Sequence, residues 1–285
     1  MIKDDHIVTK IRNDGVVSIN NIIKKEDLEI YKKITDKGKA VNKIQCLVIP
    51  TSKISLGIKI LKLQFKKIFE YYKFKNLSKN LDLQNDADLI FGGKSKLIYI
   101  DLYKSGKSTD SIIDWHCDQA YSGRSKEQST DNLHLNTHPH EGVLKFFFCL
   151  TDVDSNNGCL GYIPKSHLIT YYLKICFYKK ELKYEPFWKL TDMRKLLTKN
   201  YVREKLAKYL KNEVISEFMK DSSFVENGNK DTNKYDIKVN AGGAVLFNEL
   251  GFHRGSSPSK EDRYALRFFY QKNDGSKFFF ENKVN

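Results

Sequence analysis

Strand signals fall in two separated blocks of this chain, and the residues between the blocks read as helix. The first block holds "KSKLIYIDLYKSG" at 94–106, "IIDWHCDQAY" at 112–121 and "GVLKFFFCLTDV" at 142–153. These runs alternate, or are dense in β-branched and aromatic residues, which pack well on a pleated surface. The second block holds "IKVNAGGAVLFNELGFHRG" at 237–255 and "RYALRFFYQKND" at 263–274. Between them, "TDMRKLLTKNYVREKLAKYLKNEVISEFMKD" repeats its apolar residues at helical spacing. Ahead of both lie a short strand, "GVVSIN", and two amphipathic stretches. "IKKEDLEIYKKITDKG" ends in Gly38 as an expected C-cap, and "SLGIKILKLQFKKIFEYYKF" spans 55–74. The order predicts an α+β, mainly β protein, an antiparallel sandwich or barrel with helices packed outside. No repeat or linker divides the chain. The expected layout is one domain over 1–285, with an N-terminal helical part at 1–80. The barrel core covers about 94–167 and 236–280, and a helical insertion covers about 168–235.

Charge and cysteine usage narrow the function class. The net charge of +14 would permit a nucleic-acid surface, yet the lysines are spread along the whole chain in short runs that read as solvated helix faces. A nucleic-acid partner is therefore not expected. The five cysteines have no CxxC spacing and are odd in number, which argues against a disulfide framework and for a reducing cytosol. "MIKDDHIVTK" has no apolar core like that of a signal peptide, and no apolar run approaches a membrane span. A cytoplasmic protein without a membrane partner is expected. The sequence leaves oligomeric state open.

The chemistry begins at "DWHCDQAY". Residues i and i+2 of a strand point to one face, so His116 and Asp118 reach one point in space while Cys117 turns away to pack. Two histidines and one carboxylate on one face of a metal, with the other positions open, is the donor set of non-haem iron oxygenases. His253, after an apolar strand and beside glycines, is the candidate third ligand. His6 lies in the N-terminal tail, and His134, His138 and His140 lie in the polar loop 122–141, read as solvated. His167, in "IPKSHL", reads as packing a turn. Ten residues after His253 comes Arg263, where a guanidinium can pair bidentately with a carboxylate held near the metal. A 2-oxo acid would place its keto group and one carboxylate on iron and its far carboxylate on that arginine.

Three blocks make the chain similar to the phytanoyl-CoA dioxygenase family of Fe(II)/2-oxoglutarate oxygenases. "DWHCDQAY" resembles the family's HxD block, with Gln119 and Ala120 as its usual continuation. "LKFFFCLTDVDSNNGCLGYIPKSHL" resembles the middle block, with Lys165 where glycine is usual. "GGAVLFNELGFHRGSSPSKEDRYALRFFY" resembles the distal block. The resemblance covers about 94–273 and implies a double-stranded β-helix (jelly-roll, cupin-like) core. It implies that His116, Asp118 and His253 ligate Fe(II) and that Arg263 holds the distal carboxylate of 2-oxoglutarate, helped by Ser256 or Ser257. Arg267, four residues on, is a rival anchor, less favoured by its spacing from His253. Phe147 falls where the family often has an aromatic beside the co-substrate, or is plain core. Lys145 shares its strand parity and would meet an anionic group of co-substrate or substrate, or face solvent. Trp115 and Asp114 are candidates to buttress the ligands.

The implied activity consumes O₂ and 2-oxoglutarate, releases succinate and CO₂, and hydroxylates a C–H bond of a small, possibly anionic, molecule. Halogenating relatives lack the carboxylate ligand that Asp118 supplies, so hydroxylation or a related oxidation is expected. The loop 122–141 and the insertion are expected to border the cavity mouth. Two alternatives stand beside this: a same-fold oxygenase acting on nucleic acid or protein, and a non-catalytic binding module.

Overall fold

A computed structural model describes residues 5–41, 44–49, 66–108, 113–118, 141–226 and 232–273. The first part of the stretch 55–74, Gln119 and Ala120, the polar loop up to residue 140, and the end of the expected barrel core past 273 lie outside the described residues.

Two antiparallel sheets face each other. The larger has the order β1 (Val16–Ile19), β9 (Ala244–Asn248), β6 (Val143–Cys149), β11 (Arg263–Lys272), β4 (Ser95–Ser105), β3 (Ile44–Ile49) and β2 (Lys39–Val41). The smaller has the order β5 (Ile113–His116), β10 (His253–Gly255), β7 (Leu160–Tyr162) and β8 (Asp236–Ile237). Both sheets draw strands from both sequence blocks, so the chain closes on itself as one jelly-roll.

Side-chain parity sorts the large sheet into two faces. Leu144, Phe146, Phe148, Leu246, Leu266, Phe268 and Tyr270 point outward into a core built with the N-terminal helices. These are α1 (Asp5–Asp14), α2 (Lys25–Thr35), α3 (Lys66–Asn80) and α4 (Leu83–Phe91). The opposite parity, Tyr103, Phe147, Cys149, Val245, Phe247 and Ala265, meets Tyr162 of the small sheet inside the barrel. The continuous burial of β6 follows: it is central and covered on both faces.

The helical insertion begins earlier than its periodicity indicates, because α5 (Ser166–Tyr178) starts directly after β7. It continues as α6 (Leu190–Leu197), α7 (Asn200–Leu206) and α8 (Asn212–Glu226), which form a second apolar core on the outer face of the small sheet with Cys117, Ile163 and Phe252. Lys165 opens α5 with φ +63°, which explains why glycine is usual there. The backbone N–H of Lys165 donates to Asp14 O at 2.9 Å, and its ammonium reaches Glu217 at 2.6 Å.

Gly38 does not cap α2. The helix ends at Thr35 with Asp36 in right-handed geometry, and Gly38 sits where a Cβ would stand 2.6 Å from the carbonyl oxygen of Cys46. Its lack of a side chain serves the close approach of the β2–β3 hairpin.

His167 is structural, as its sequence context indicates. It is buried on α5, and its Nε2–H donates to Arg12 O at 3.0 Å, tying α5 to α1. Burial pushes its pKa down from 6.5 to about 4. A folded-state pKa below the unfolded value gives stability that is present above pH 6.5 and lost as pH falls through 4. The full loss is about 3 kcal/mol at 1.36 kcal/mol per pKa unit. Denaturant unfolding at pH 7 and pH 4.5 should therefore differ less in His167→Gln than in the native protein; an unchanged difference would mean that other groups carry the acid sensitivity.

Candidate active site

The antiparallel pairing of β5 with β10 does what the HxD spacing alone does not. It places His116 directly opposite His253 in the ladder. Their rings lie 4.5 Å apart between centroids. Asp118, just past the end of β5, reaches both: Oδ1 is 3.1 Å from His116 Nε2 and Oδ2 is 3.5 Å from His253 Nε2. One ligand atom from each of His116, Asp118 and His253 lies within 4.8 Å of the others. Among the described residues this is the only such group of His, Cys, Asp and Glu side chains.

The backbone fixes both imidazoles. His116 Nδ1–H donates to Asp114 O at 2.6 Å, and His253 Nδ1–H donates to Gly251 O at 2.8 Å. Each Nε2 therefore carries a lone pair into the shared space, as metal-binding histidines require. Burial lowers the His253 pKa, which favours the neutral, ligating form. Burial would raise the carboxyl of Asp118, but the Lys145 ammonium holds it well below the usual range. Asp114 thus buttresses the ligand through its carbonyl. Trp115 points to the other face, edge-on to Tyr235 and beneath the Arg254 guanidinium, away from the ligands. Cys117 is buried among the insertion helices as its parity requires, and its N–H donates to Trp188 O at 3.0 Å. That bond brings the insertion to the edge of the site.

Lys145 is buried and inward-facing. Its ammonium sits on Asp118 Oδ2, 3.3 Å from Glu249 Oε2, and over the rings of Phe247 and Phe269 at 5.4 and 5.1 Å from their centroids. The solvent-facing alternative is excluded. Burial would lower its pKa, but Asp118 and Glu249 raise it, so the charge is kept. Phe147 packs edge-on to Tyr103 inside the barrel.

The two arginines of β11 differ in their company. Arg267 is bidentate to Asp101, with Nε 2.8 Å from Oδ1 and Nη2 2.5 Å from Oδ2. Arg263 is 5% exposed and has no carboxylate among the described residues. It donates to Gly158 O and, at 3.3 Å, to Ser105 Oγ; it stacks on Tyr103, and its Nε–H has no partner among the described residues. Gly158 (φ +71°) makes room for it, since a Cβ there would stand 2.7 Å from Arg263 Cδ. The Ser256 hydroxyl faces Cys159 Sγ at 3.5 Å, and Ser257 accepts the Gly158 N–H through its carbonyl.

Sequence reasoning missed Glu249 and Asp101. Asp101 had a signal, because it shares the inward parity of Tyr99 and Tyr103 in a strand with few charges. Glu249 had none beyond lying four residues before His253 in an apolar run.

Comparison with known proteins agrees with this fold. No curated protein matches the chain. Three of the solved structures that share its fold serve as examples. The non-haem α-ketoglutarate-dependent carbocyclase SnoK from nogalamycin biosynthesis is 13% identical with a TM-score of 0.56, covering 95% of this chain and 85% of that one. HygX from Streptomyces hygroscopicus, solved with nickel and 2-oxoglutarate, is 14% identical with a TM-score of 0.54, covering 96% and 89%. AviO1 from Streptomyces viridochromogenes is 13% identical with a TM-score of 0.51, covering 96% and 97%. At such identities the likeness is one of fold. The family model described as phytanoyl-CoA dioxygenase matches residues 60–265, most of the 285-residue chain. The chain belongs to the phytanoyl-CoA dioxygenase family, a family of non-haem Fe(II)- and 2-oxoglutarate-dependent oxygenases.

Proposed function

We propose that the protein hydroxylates a C–H bond of a small molecule, with Fe(II) held by His116, Asp118 and His253 and 2-oxoglutarate anchored on Arg263. The observation that carries this reading is the convergence of two Nε2 lone pairs and one ionised carboxylate within 4.8 Å. A facial set of this kind leaves positions for a chelating 2-oxo acid and for O₂. The bound metal and co-substrate supply the oxidising chemistry, in which decarboxylation to succinate and CO₂ is coupled to insertion of oxygen into the substrate.

The residues themselves bind, orient and exclude water. The Nδ1 hydrogen bonds hold both imidazole planes at fixed angles. The cavity wall of Tyr103, Phe147, Phe247 and Phe269 is apolar and buried, which strengthens every charge interaction inside it. Arg263 offers a desolvated guanidinium with unused donors, a fit for the distal carboxylate, with Ser256 close in chain to His253. Among the described residues no helix is long and apolar enough to cross a membrane.

The test is an anaerobic spectroscopic titration of apo-protein with Fe(II) and 2-oxoglutarate, run beside His116→Ala. A visible charge-transfer band should need both additions and be missing in the variant. A folded native protein with no band would sink the oxygenase reading in favour of a binding module. With the band established, succinate release across a panel of small molecules identifies the substrate.

A further inference from the structure

The barrel holds a second carboxylate close to the triad. Glu249, 1% exposed, sits on the turn between β9 and β10, four residues before His253. Its backbone oxygen accepts the Asp118 N–H at 3.1 Å, so the two residues are tied together. Between their carboxylates stands one ammonium: Lys145 Nζ touches Asp118 Oδ2 and lies 3.3 Å from Glu249 Oε2. The two carboxylates are thus no further apart than about 6 Å, the span of two hydrogen bonds. A divalent cation beside Asp118 would attract Glu249 strongly at this low dielectric. If Glu249 joined the three ligands, two of the six positions would remain, enough for a chelating 2-oxo acid but leaving none for O₂.

We propose that Lys145 is a positioning residue that holds Glu249 off the metal and so keeps the site at three protein ligands. This rests on the iron and 2-oxoglutarate reading above. The ammonium neutralises Glu249 and occupies the path between the carboxylates. It also engages Oδ2 of Asp118, which leaves Oδ1, 3.1 Å from His116 Nε2, as the ligating oxygen. The Phe247 and Phe269 rings, which the ammonium itself faces, help to keep the amine in that place. Removing Lys145 then has two effects: the metal gains a donor, and the position that O₂ needs is filled.

The experiment compares native protein, Lys145→Met and Lys145→Met/Glu249→Gln, using calorimetric titration of apo-protein with Co(II), the anaerobic Fe(II)/2-oxoglutarate band and O₂-dependent succinate release. Lys145→Met should bind Co(II) about tenfold tighter, with a larger metal-induced rise in melting temperature, and keep the anaerobic 2-oxoglutarate band, yet lose O₂-dependent succinate release at least tenfold. The double variant should return the Co(II) affinity and the succinate release toward native. A role of Lys145 as a direct co-substrate contact predicts instead that the band weakens in both variants and that metal affinity does not rise, which would overturn the proposal. Lys145→Gln, which keeps a donor but no charge, gives the same comparison should Lys145→Met fail to fold. A native protein with no band at all would sink the underlying oxygenase reading instead, and that outcome is visible before any variant is compared.

Discussion

Asp118→Ala should abolish turnover while leaving a folded protein. The variant keeps two neutral imidazoles and loses the one anionic ligand, the group that supplies most of the attraction for a divalent cation. Loss of an outer partner of a metal ligand costs 10–100-fold in affinity, and loss of the ligand itself should exceed about 100-fold. The fold should persist for a specific reason. Asp118 lies past the end of β5 and its side chain is 30% exposed, so no core packing depends on it. Lys145 would keep Glu249 as its counter-ion at 3.3 Å and would not become a buried, unpaired cation. Metal titration and thermal melting of the same sample separate the two effects. Retained iron binding with succinate release would remove Asp118 from the ligand set. Collapse of the melting temperature would show that the Asp118–Lys145 pair holds the barrel together.

Much of this site was legible because strand periodicity and ladder pairing are simple rules. Parity alone put His116 and Asp118 together, turned Cys117 outward and gave Lys145 and Phe147 a common face. The two-block order of strands pointed to an antiparallel sandwich or barrel, and the jelly-roll came from the family resemblance. What the sequence withheld was tertiary company. Nothing in "LKFFFC" says that the Lys145 amine will find two carboxylates, because Glu249 is 104 residues away on another strand's turn. The start of α5 was hidden because "IPKSH" bends through a left-handed lysine, a conformation that favours glycine and is rare for lysine. Gly38 looked like a cap since a glycine after a helical run commonly is one; here strand packing set the requirement. The insertion was expected to border the cavity mouth; that its apolar residues are also the covering that the small sheet's outer face needs was not legible.

Arg263 and Arg267 have one spacing argument between them in the sequence and opposite surroundings in the fold, and their replacement should separate accordingly. Arg263→Met removes a buried guanidinium with unused donors and no carboxylate partner among the described residues. Truncating one side of a buried, hydrogen-bonded charge pair costs 2–5 kcal/mol. The affinity of the iron-loaded protein for 2-oxoglutarate should thus fall by about 100-fold, with metal binding unchanged. Arg267→Met instead leaves Asp101, 1% exposed, without its bidentate partner. Its main cost should be in stability, about 3–5 kcal/mol, and exchanging both members for apolar residues, Arg267→Met/Asp101→Leu, should recover most of it. Denaturant unfolding and anaerobic 2-oxoglutarate titration on the same three variants give the answer. If Arg267→Met were the one to lose the co-substrate, the Asp101 pair would have to open on binding and hand its guanidinium to the ligand. That exchange would cost the buried Asp101 its partner unless another cation followed, and the nearer source of a free guanidinium is Arg263, already stacked on the same Tyr103 ring.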